Sequence, residues 1–401
     1  MRVVVNQLAA LGQKTGVGHY TSQLVRCLLA LAPKGEIETF PEGWLRWGRE
    51  SFTKFRPYLE GSGSGASAAA ARGGAGSTWR SITLGLLRQS GRALNAHHFR
   101  RTCARRDYTL YHEPNFIPLP CDRPTIVTVH DLSVLVHPEW HPLDRVKYFE
   151  KHFLKGLARC QHFLAISEYA RQELIHTLNL PPEKVTRTYM GIRPGLGPRP
   201  ADEVQATLQK LGLPPRYFLY LGTVEPRKNV LTLLRAYCAL PDAVRAEWPL
   251  LLVGSWGWNT SAVAEYYEGV AKHRGVHHVG YVAEENLAAL YTGARVLAYP
   301  SAYEGFGMPP LEMMACGGAV LAGTAGAVVE TVGSKAHMLS PRDVDGWRNA
   351  LMRAVTDEDW WQSLRVGVRE IARPYTWEAC AADTWSAYRH VAGLPASRLA
   401  A

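Results

Sequence analysis

Residues 301–312 have the sequence SAYEGFGMPPLE and follow the apolar segment ARVLAYP at residues 294–300. β-Branched and aromatic residues in such a short run predict a buried strand of a parallel sheet. Pro309 and Pro310 fit the first turn of a helix, where a missing backbone N–H leaves no bond unmade. The stretch therefore predicts a strand, a loop and a helix, which is the repeating unit of a doubly wound α/β sheet.

The loop in this stretch has the composition of a ligand-binding loop. Gly305 and Gly307 let the backbone approach a ligand closely, and the helix that follows presents the positive end of its dipole to an anion. Glu304 and Glu312 bracket the loop, and ionised carboxylates accept hydrogen bonds from hydroxyl groups. A ligand that fits this loop would have a phosphate in the middle, near the helix N-terminus, and a polyol at each end, near a carboxylate. These features indicate a sugar nucleotide. The alternative is a glycine turn with two surface glutamates.

The stretch resembles the retaining GT-B glycosyltransferases of glycosyltransferase family 4, whose Glu-x7-Glu signature is matched by Glu304 and Glu312. The resemblance implies two Rossmann-like α/β domains facing a central cleft, a nucleoside diphosphate sugar as donor, and neither a cofactor nor a metal. It also implies that Glu304 contacts the transferred sugar and Glu312 the nucleotide ribose. Four loop residues are expected to contact the donor as well, namely Gly305, Phe306, Gly307 and Met308.

The composition of the 401-residue chain is that of a globular protein long enough for two domains. No apolar run reaches the length of a membrane span, and residues 1–6 indicate a strand rather than a signal peptide. Seven scattered cysteines without a Cys-x-x-Cys pair predict a reducing compartment and argue against a disulfide framework or a zinc site. We therefore expect a cytoplasmic protein, and the net charge of +10 favours anionic partners.

We predict an N-terminal, acceptor-side domain at residues 1–195 and a nucleotide-sugar-binding domain at residues 196–375. Pro and Gly are frequent at residues 193–200, which marks the linker. A terminal helix at residues 376–401 is expected to cross back to the first domain, as the resemblance implies. Residues 61–76 consist of Gly, Ser and Ala with one arginine and are expected to form a flexible loop.

Residues 80–106 carry seven arginines and no acidic residue, with apolar residues interleaved. Such a segment can lie on an anionic membrane, where each Lys or Arg contributes about 1 kcal/mol. The alternative is a solvated helix that covers the sheet with its leucines. Because acceptors in the family are often lipid-linked sugars at the cytoplasmic leaflet, we expect peripheral attachment to the inner face of the membrane. Nucleic acid is not an expected partner.

The strand predicted at residues 125–129 ends in His130 and Asp131, a titratable pair at a place where α/β proteins bind ligands. The alternative is a structural histidine. The resemblance implies that His130 lies near the transferred sugar, without acting as a nucleophile, and that Asp131 shapes the same pocket. Asn115 and Ser167 are further candidates for this pocket, and Ser167 is also expected to cap a helix.

Gly16 and Gly18 belong to a Gly-rich loop at residues 11–18, before a helix predicted at residues 19–31. A Gly-rich loop that opens a helix is a candidate phosphate cradle, although Gly-x-Gly also occurs in ordinary turns. The resemblance places this loop against the donor diphosphate and sugar.

Arg227 and Lys228 precede a predicted helix that Asn229 is expected to cap. Adjacent cations over a helix N-terminus indicate a polyanion, and each charged hydrogen bond to a phosphate contributes about 1.5–3 kcal/mol. The alternative is a surface cap. The resemblance assigns this pair to the donor diphosphate. It also includes Thr223, where many relatives have Arg, and places the loop at Val282 over the nucleobase.

These observations predict a retaining, metal-independent glycosyltransferase that acts in bacterial polysaccharide or glycolipid synthesis. The best subgroup match is transfer of mannose from GDP-mannose to a hydroxyl of a glycan or a lipid-linked acceptor. No nucleophile–base pair stands out, so the resemblance implies a front-face mechanism in which the leaving diphosphate accepts the acceptor's proton. Two alternatives remain open: a sugar-nucleotide epimerase on the same fold and a non-catalytic scaffold of a polysaccharide assembly complex.

Overall fold

The structure is a computed structural model that describes residues 1–11, 16–42 and 93–395. The flexible loop predicted at residues 61–76 and the first part of the basic segment, residues 80–92, lie outside these ranges. The chain forms two compact units, and the domain boundaries expected from the sequence stay a prediction. One unit comprises Met1–Val129, His152–Leu164 and Ala381–Ala401, and the other comprises His130–Lys151 and Ala165–Cys380.

The first sheet has six strands in the order β2-β1-β3-β4-β5-β6. The pairs β1–β2, β1–β3 and β3–β4 are parallel. The order changes direction between β1 and β3, which is the topological switch point of this sheet. The strands are β1 (Val3–Asn6), β2 (Ile37–Phe40), β3 (Leu110–Glu113), β4 (Thr125–Val129), β5 (Cys160–Ala165) and β6 (Val185–Arg187).

The second sheet also has six strands, in the order β12-β11-β10-β7-β8-β9, and all of its pairs are parallel. The chain moves outward from β7 to β9 and then returns to the other side of β7, so the switch point lies between β7 and β10. The strands are β7 (Phe218–Leu221), β8 (Leu250–Val253), β9 (Val276–Gly280), β10 (Leu297–Tyr299), β11 (Val320–Gly323) and β12 (His337–Leu339).

Helices connect the strands of both sheets. In the first half they are α1 (Gly16–Leu31), α2 (residues 93–105), α3 (Ser133–Val136), α4 (Leu143–Leu157) and α5 (Glu168–Leu178). In the second half they are α6 (Ala201–Leu211), α7 (Val230–Cys238), α8 (Asp242–Glu247), α9 (Ser261–Gly269), α10 (Glu284–Gly293), α11 (Met308–Ala315), α12 (Ala327–Val332), α13 (Val344–Thr356), α14 (Glu358–Ser363), α15 (Val368–Ala372) and α16 (Trp377–Val391).

The second sheet is buried on both faces, which explains the continuous apolar runs in its strands. Side chains alternate along each strand between two apolar clusters. One cluster contains Leu219, Leu251 and Leu297, and the other contains Phe218, Leu250 and Ala298. The predicted fold class, α/β with two Rossmann-like doubly wound domains, is confirmed by these two parallel sheets.

The helix ends match the sequence predictions at the start of α5 and differ from them at α1 and α16. The terminal helix α16 runs from Trp377 to Val391, inside the predicted range of residues 376–401, and Ser167 caps α5 by accepting the N–H of Ala170 at 3.0 Å. Asp343 caps α13 by accepting the N–H of Gly346 at 2.8 Å. The expected start of α1 at residue 19 is wrong, because the helix begins at Gly16. The entropic cost of glycine is felt mainly in the interior of a helix, so glycines are accommodated in its first turn.

The described part of the basic segment packs on the first sheet. Phe99 on α2 is buried, and its ring lies 4.5 Å from the ring of Tyr111. Arg106 is engaged in ion pairs with Glu38 and Glu42. Three arginines on α2 are exposed, namely Arg100, Arg101 and Arg105. Phe99 and Cys103 pack the helix on the sheet, but Leu94 is 69% exposed, so this leucine does not cover the sheet as the solvated-helix alternative expects. The membrane hypothesis stays a prediction.

Within the described residues, no helix is both long enough and apolar enough to cross a membrane. The same part of the chain contains no group of three or more His, Cys, Asp or Glu side chains placed to hold a metal ion.

Candidate active site

Two loops meet at the switch point of the second sheet. One follows β7 and carries Arg227 and Lys228, and the other follows β10 and carries Glu304. Backbone contacts join them, because the N–H of Ala302 donates to the carbonyl of Arg227 at 2.8 Å. This is where an open parallel sheet binds ligands, and the predicted cations and the first glutamate are brought together there.

The side chain of Asn229 forms hydrogen bonds between loops instead of capping α7. Its backbone is left-handed, with a φ of 53°, a conformation that asparagine tolerates better than most residues. Its side-chain amide donates to the carbonyl oxygens of Pro300 at 3.1 Å and Pro341 at 2.5 Å. The predicted side-chain cap is therefore wrong. The amide instead holds the turn with Lys228 against the end of β10.

The carboxylate of Glu304 is the centre of the cluster and is only 4% exposed. Its Oε1 accepts from the ammonium of Lys228 at 2.5 Å and from the hydroxyl of Tyr299 at 2.6 Å. Its Oε2 accepts from Arg227 at 3.2 Å. A carboxylate oxygen has two acceptor positions, so these bonds fill Oε1 and leave room on Oε2 for a hydroxyl of a ligand.

The protonation states follow from burial and charge. Burial alone would raise the pKa of the Glu304 carboxyl, but the charges of Lys228 and Arg227 lower it to about 2. The group is therefore ionised at neutral pH. Burial lowers the pKa of the Lys228 ammonium, and Arg227 adds to this effect, whereas Glu304 opposes it. The ammonium is thus stabilised by any further anion that binds beside it.

Arg227 is surrounded by carboxylates. Its Nε donates to Glu225 at 2.6 Å, and its guanidinium lies 3.8 Å from Asp131 as well as bonding Glu304. The sequence suggested two cations presented to a polyanion, but in the structure both share their charge with protein carboxylates. A phosphate would have to bind through the donors that these contacts leave, together with the N-terminal N–H groups of α11.

His130 and Asp131 are placed beside the Glu304 loop, as the family resemblance implies. A Cβ atom at Gly305 would overlap the carbonyl oxygen of His130, so only glycine permits this approach. The side chain of Asp131 accepts from the hydroxyl of Ser133 at 2.7 Å and from its N–H at 3.0 Å. These bonds orient the carboxylate whose other oxygen faces Arg227.

Glu312 is fully buried on α11, which begins after the left-handed Gly307 at a φ of 92°. One guanidinium nitrogen of Arg193 contacts both carboxylate oxygens, at 2.6 and 2.5 Å, and the hydroxyl of Tyr291 donates at 2.8 Å. Burial raises the pKa of Glu312, although Arg193 opposes this. Oε2 accepts two of these bonds and Oε1 one, so a ribose hydroxyl could bond Oε1, but only if a side chain that buries Glu312, such as Arg193, moved aside.

The other loop candidates have structural contacts of their own. Phe306 is buried, and its ring lies 5.6 Å from that of Tyr375. The side chain of Val282 belongs to an apolar cluster, Met308 is half-buried, and Thr223 is exposed. Nothing in these contacts tests their expected roles toward a donor, so those roles stay predictions.

Four acceptor-side or phosphate candidates also stay predictions. Ser167 is buried, and its hydroxyl donates to the carbonyl of Gly305 at 2.8 Å, so it supports the Glu304 loop. Gly16 and Gly18 lie at the start of α1. Asn115 is exposed, and its N–H donates to Glu113 at 3.1 Å.

Several functional neighbours were missed by the sequence analysis. Tyr299 lies within an apolar strand, where an aromatic residue indicates core packing, and Glu225 is part of an ordinary turn. Arg193 was assigned to a linker with little to bury, yet it pairs with a carboxylate 119 positions along the chain. A sequence pattern carries no signal for such long-range partners.

Comparison with known proteins identifies the family. Residues 205–373 match the model described as glycosyl transferases group 1, and residues 65–196 match that of Glycosyltransferase Family 4. The O-antigen chain mannosyltransferase B of Escherichia coli is 33% identical over 94% of this chain and 96% of its own length. The serotype-specific mannosyltransferase WbdA of Escherichia coli is 29% identical over 65% of this chain but 33% of its own length.

Solved structures share the fold. HepE of Anabaena, determined in complex with UDP-glucose, matches 96% of this chain and all of its own with a TM-score of 0.67 at 16% identity. The sucrose-phosphate synthase of Thermosynechococcus elongatus matches 98% of this chain and 99% of its own with a TM-score of 0.68 at 20% identity. The chain therefore belongs to the glycosyl transferases group 1 and family 4 proteins and is a glycosyltransferase with the GT-B fold.

Proposed function

We propose that this protein transfers a mannosyl residue from GDP-mannose to a hydroxyl of a glycan or lipid-linked acceptor, with retained anomeric configuration and without a metal. The observation that carries the transfer chemistry is the cluster of Lys228, Arg227 and Glu304 at the switch point of the second sheet. The choice of mannose rests on the 33% identity to the O-antigen chain mannosyltransferase over nearly the whole chain.

The cluster contains an anionic group for the sugar of the donor and cationic groups for its diphosphate. The ionised Glu304 accepts a hydroxyl of the transferred sugar on Oε2. The ammonium of Lys228 has three N–H groups, and two of them bond Tyr299 and Glu304. The third is directed to the diphosphate, where it stabilises the negative charge that grows as the sugar leaves. Arg227 and the N-terminus of α11 supply the remaining positive potential.

The reaction follows a front-face course. The bond from the anomeric carbon to the diphosphate oxygen breaks while the acceptor oxygen bonds to the same face of that carbon. The leaving diphosphate takes the proton of the acceptor hydroxyl, so the protein need not supply a base. His130 lines the sugar pocket and Asp131 holds Arg227. The products are the mannosylated acceptor and GDP.

The setting of the reaction follows from the relatives and from α2. O-antigen synthesis by the relatives supports a polysaccharide or glycolipid acceptor. The exposed arginines of α2 support contact with the anionic inner face of the cytoplasmic membrane, where lipid-linked acceptors would be presented. We accordingly place the enzyme in the cytoplasm, with peripheral attachment to that membrane.

The test is a transfer assay with GDP-mannose and short glycosides that carry an alkyl chain, read by NMR of the new anomeric centre. We expect an α-mannosyl product from the α-linked donor, undiminished by a metal chelator, and little product from Glu304→Gln. A β-linked product would contradict retention. Conversion of GDP-mannose to another sugar nucleotide without any acceptor would favour an epimerase. Donor binding with no turnover on any acceptor would favour a scaffold.

A further inference from the structure

A cluster of aromatic rings surrounds Tyr303, the residue before Glu304. The rings of His137 and Trp140 stack at 3.8 Å. The ring of Tyr303 lies 5.7 Å from His137, 6.2 Å from Trp140 and 6.2 Å from Tyr169. Three separate chain segments contribute these residues, all within one compact unit. We call the four side chains the aromatic cluster.

The aromatic cluster presents part of its ring surface to solvent. Tyr303 is buried and forms its base. Tyr169 is 38% exposed, the side chain of His137 is 37% exposed, and Trp140 is half-buried. Exposed aromatic side chains that lie in one cluster mark a binding site more often than single exposed apolar residues do. Flat apolar faces bordered by a few polar groups are typical of sites for small organic ligands.

A carboxylate borders the aromatic cluster. Glu173 on α5 accepts a hydrogen bond from the hydroxyl of Tyr303. Burial raises the pKa of Glu173, and the nearby charge of Asp131 adds to this effect. Burial also raises the pKa of Tyr169, with a contribution from Glu173. A half-buried carboxylate beside ring faces suits a sugar, whose C–H faces pack on aromatic rings while its hydroxyls donate to carboxylate oxygens.

The position of the aromatic cluster indicates whether a sugar bound there would belong to the donor or to the acceptor. Tyr303 adjoins Glu304 in sequence, and its hydroxyl accepts the N–H of Leu132, the residue after Asp131, at 3.0 Å. The cluster is therefore joined to both loops that flank the proposed reacting centre. Arg227 and Lys228 already provide for the diphosphate of the donor, so a second sugar next to this centre would be the acceptor.

We propose that the aromatic cluster and Glu173 form a subsite for a hexose ring of the acceptor. Tyr169 and Trp140 supply the faces on which the ring packs, and Glu173 accepts its hydroxyls. Tyr303 acts as a positioning residue, because it holds Glu173 and the segment after Asp131 in place. This inference rests on the proposed transferase function and adds the acceptor's binding mode to it.

The test compares Tyr169→Ala with the conservative Tyr169→Phe, and Tyr148→Ala serves as the matched control. Tyr148 on α4 is 39% exposed and lies outside the aromatic cluster, so its loss removes a similar ring surface. GDP-mannose is the donor, and octyl α-D-mannoside is the acceptor probe. Its binding in the presence of GDP is measured by ligand-observed NMR, and its KM by the transfer assay.

Tyr169→Ala is expected to raise the KM and the dissociation constant of octyl α-D-mannoside about tenfold, as for the loss of one aromatic contact. Tyr169→Phe and Tyr148→Ala should stay within about twofold of the wild type, because each retains the ring surface of the subsite. The KM for GDP-mannose should not change in any of the three. Rescue by phenylalanine would show that the ring face, rather than the hydroxyl, binds the acceptor.

Glu173→Gln gives an independent check. Its amide oxygen still accepts the hydroxyl of Tyr303, but its NH₂ group cannot accept a sugar hydroxyl. We expect a rise of about threefold to tenfold in the acceptor KM at unchanged thermal stability.

Two results would overturn the subsite: no binding of octyl α-D-mannoside to the wild type, or equal acceptor affinities in Tyr169→Ala and the wild type. Parallel losses of donor affinity and stability in Tyr169→Ala would mean that the ring only packs the fold. Failure of the transferase proposal is recognised separately, since it would appear as absence of GDP-mannose binding or of transfer to every acceptor.

Discussion

The two sheets each place a buried carboxylate at their switch point, but its hydrogen-bond donors differ. At the first, between β1 and β3, Glu113 is 3% exposed and accepts from the amide of Asn6 and the hydroxyl of Tyr111, both at 2.6 Å. At the second, between β7 and β10, Glu304 accepts from Lys228 and Arg227. The donors named at the first site are neutral, and those at the second include two cations.

We expect a structural role for Glu113 and a role in the reaction for Glu304. Neutral donors satisfy a buried carboxylate without adding positive charge to its surroundings. Cations keep it ionised and at the same time attract the phosphates of a ligand. The position in the fold is equivalent in both sheets, so the chemistry comes from the side chains and not from the topology. We expect donor binding to depend on the second switch point and fold stability to depend on both.

The largest effect is expected from Lys228→Ala, which removes one of the two cations that contact Glu304, the ammonium of Lys228. Turnover should fall about 10²–10³-fold, as when one charge-stabilising donor is lost from an active site. Steady-state transfer from GDP-mannose measures it. Lys272→Ala is the control, because Lys272 pairs with Glu268 on the surface. Turnover of Lys228→Ala within about threefold of the wild type would contradict the assigned role.

The next effect concerns pH. The pKa of Glu304 is lowered to about 2 in the folded protein from an ordinary value of 4.5. A lowered pKa contributes stability above the unfolded value, and this contribution is lost as the pH falls from about 5 to 2. The loss amounts to about 3 kcal/mol in the free energy of unfolding. Urea unfolding at several pH values across this range gives the free energy of unfolding as a function of pH. This free energy should fall less steeply with decreasing pH in Glu304→Gln than in the wild type, and an identical pH dependence would contradict the charged cluster.

A smaller effect is expected at the first switch point from Glu113→Ala. The amide of Asn6 and the hydroxyl of Tyr111 would lose their acceptor inside the protein. This should lower the free energy of unfolding by about 2 kcal/mol. The dissociation constant of GDP, measured by calorimetry on the folded variant, should stay unchanged. If Glu113→Ala weakened GDP binding as much as Lys228→Ala does, the proposed difference between the two switch points would be wrong.

The smallest effect is expected from Ser167→Ala, which removes the cap of α5 and the hydrogen bond to Gly305. Loss of an N-cap side chain costs about 1 kcal/mol, which thermal unfolding detects. Since Gly305 also packs against His130, turnover should fall by a few fold at an unchanged KM for the donor. An unchanged unfolding temperature would show that the cap is dispensable.

The loop at residues 301–312 could be predicted from sequence because its determinants are local. An apolar strand, two glycines and two prolines fix the strand, the turn and the helix in consecutive positions. The proximity of His130 to Glu304 followed only from the family resemblance. The bond from Arg193 to Glu312 joins positions 119 residues apart, and the hydroxyl of Tyr299 acts from within a core strand. Such contacts depend on packing that periodicity and composition do not encode.

Thermal unfolding with a panel of nucleotide sugars tests whether Lys228 and the Glu304 loop bind a GDP-linked donor. GDP-mannose, UDP-glucose, UDP-N-acetylglucosamine and dTDP-rhamnose are each compared with their free nucleoside diphosphates, on the wild type and on Lys228→Ala. A ligand at about 100 times its dissociation constant adds about 2.7 kcal/mol to stability. We expect stabilisation by GDP-mannose and GDP in the wild type and a much smaller shift in Lys228→Ala. Equal stabilisation of both proteins, or none by any nucleotide, would contradict this expectation.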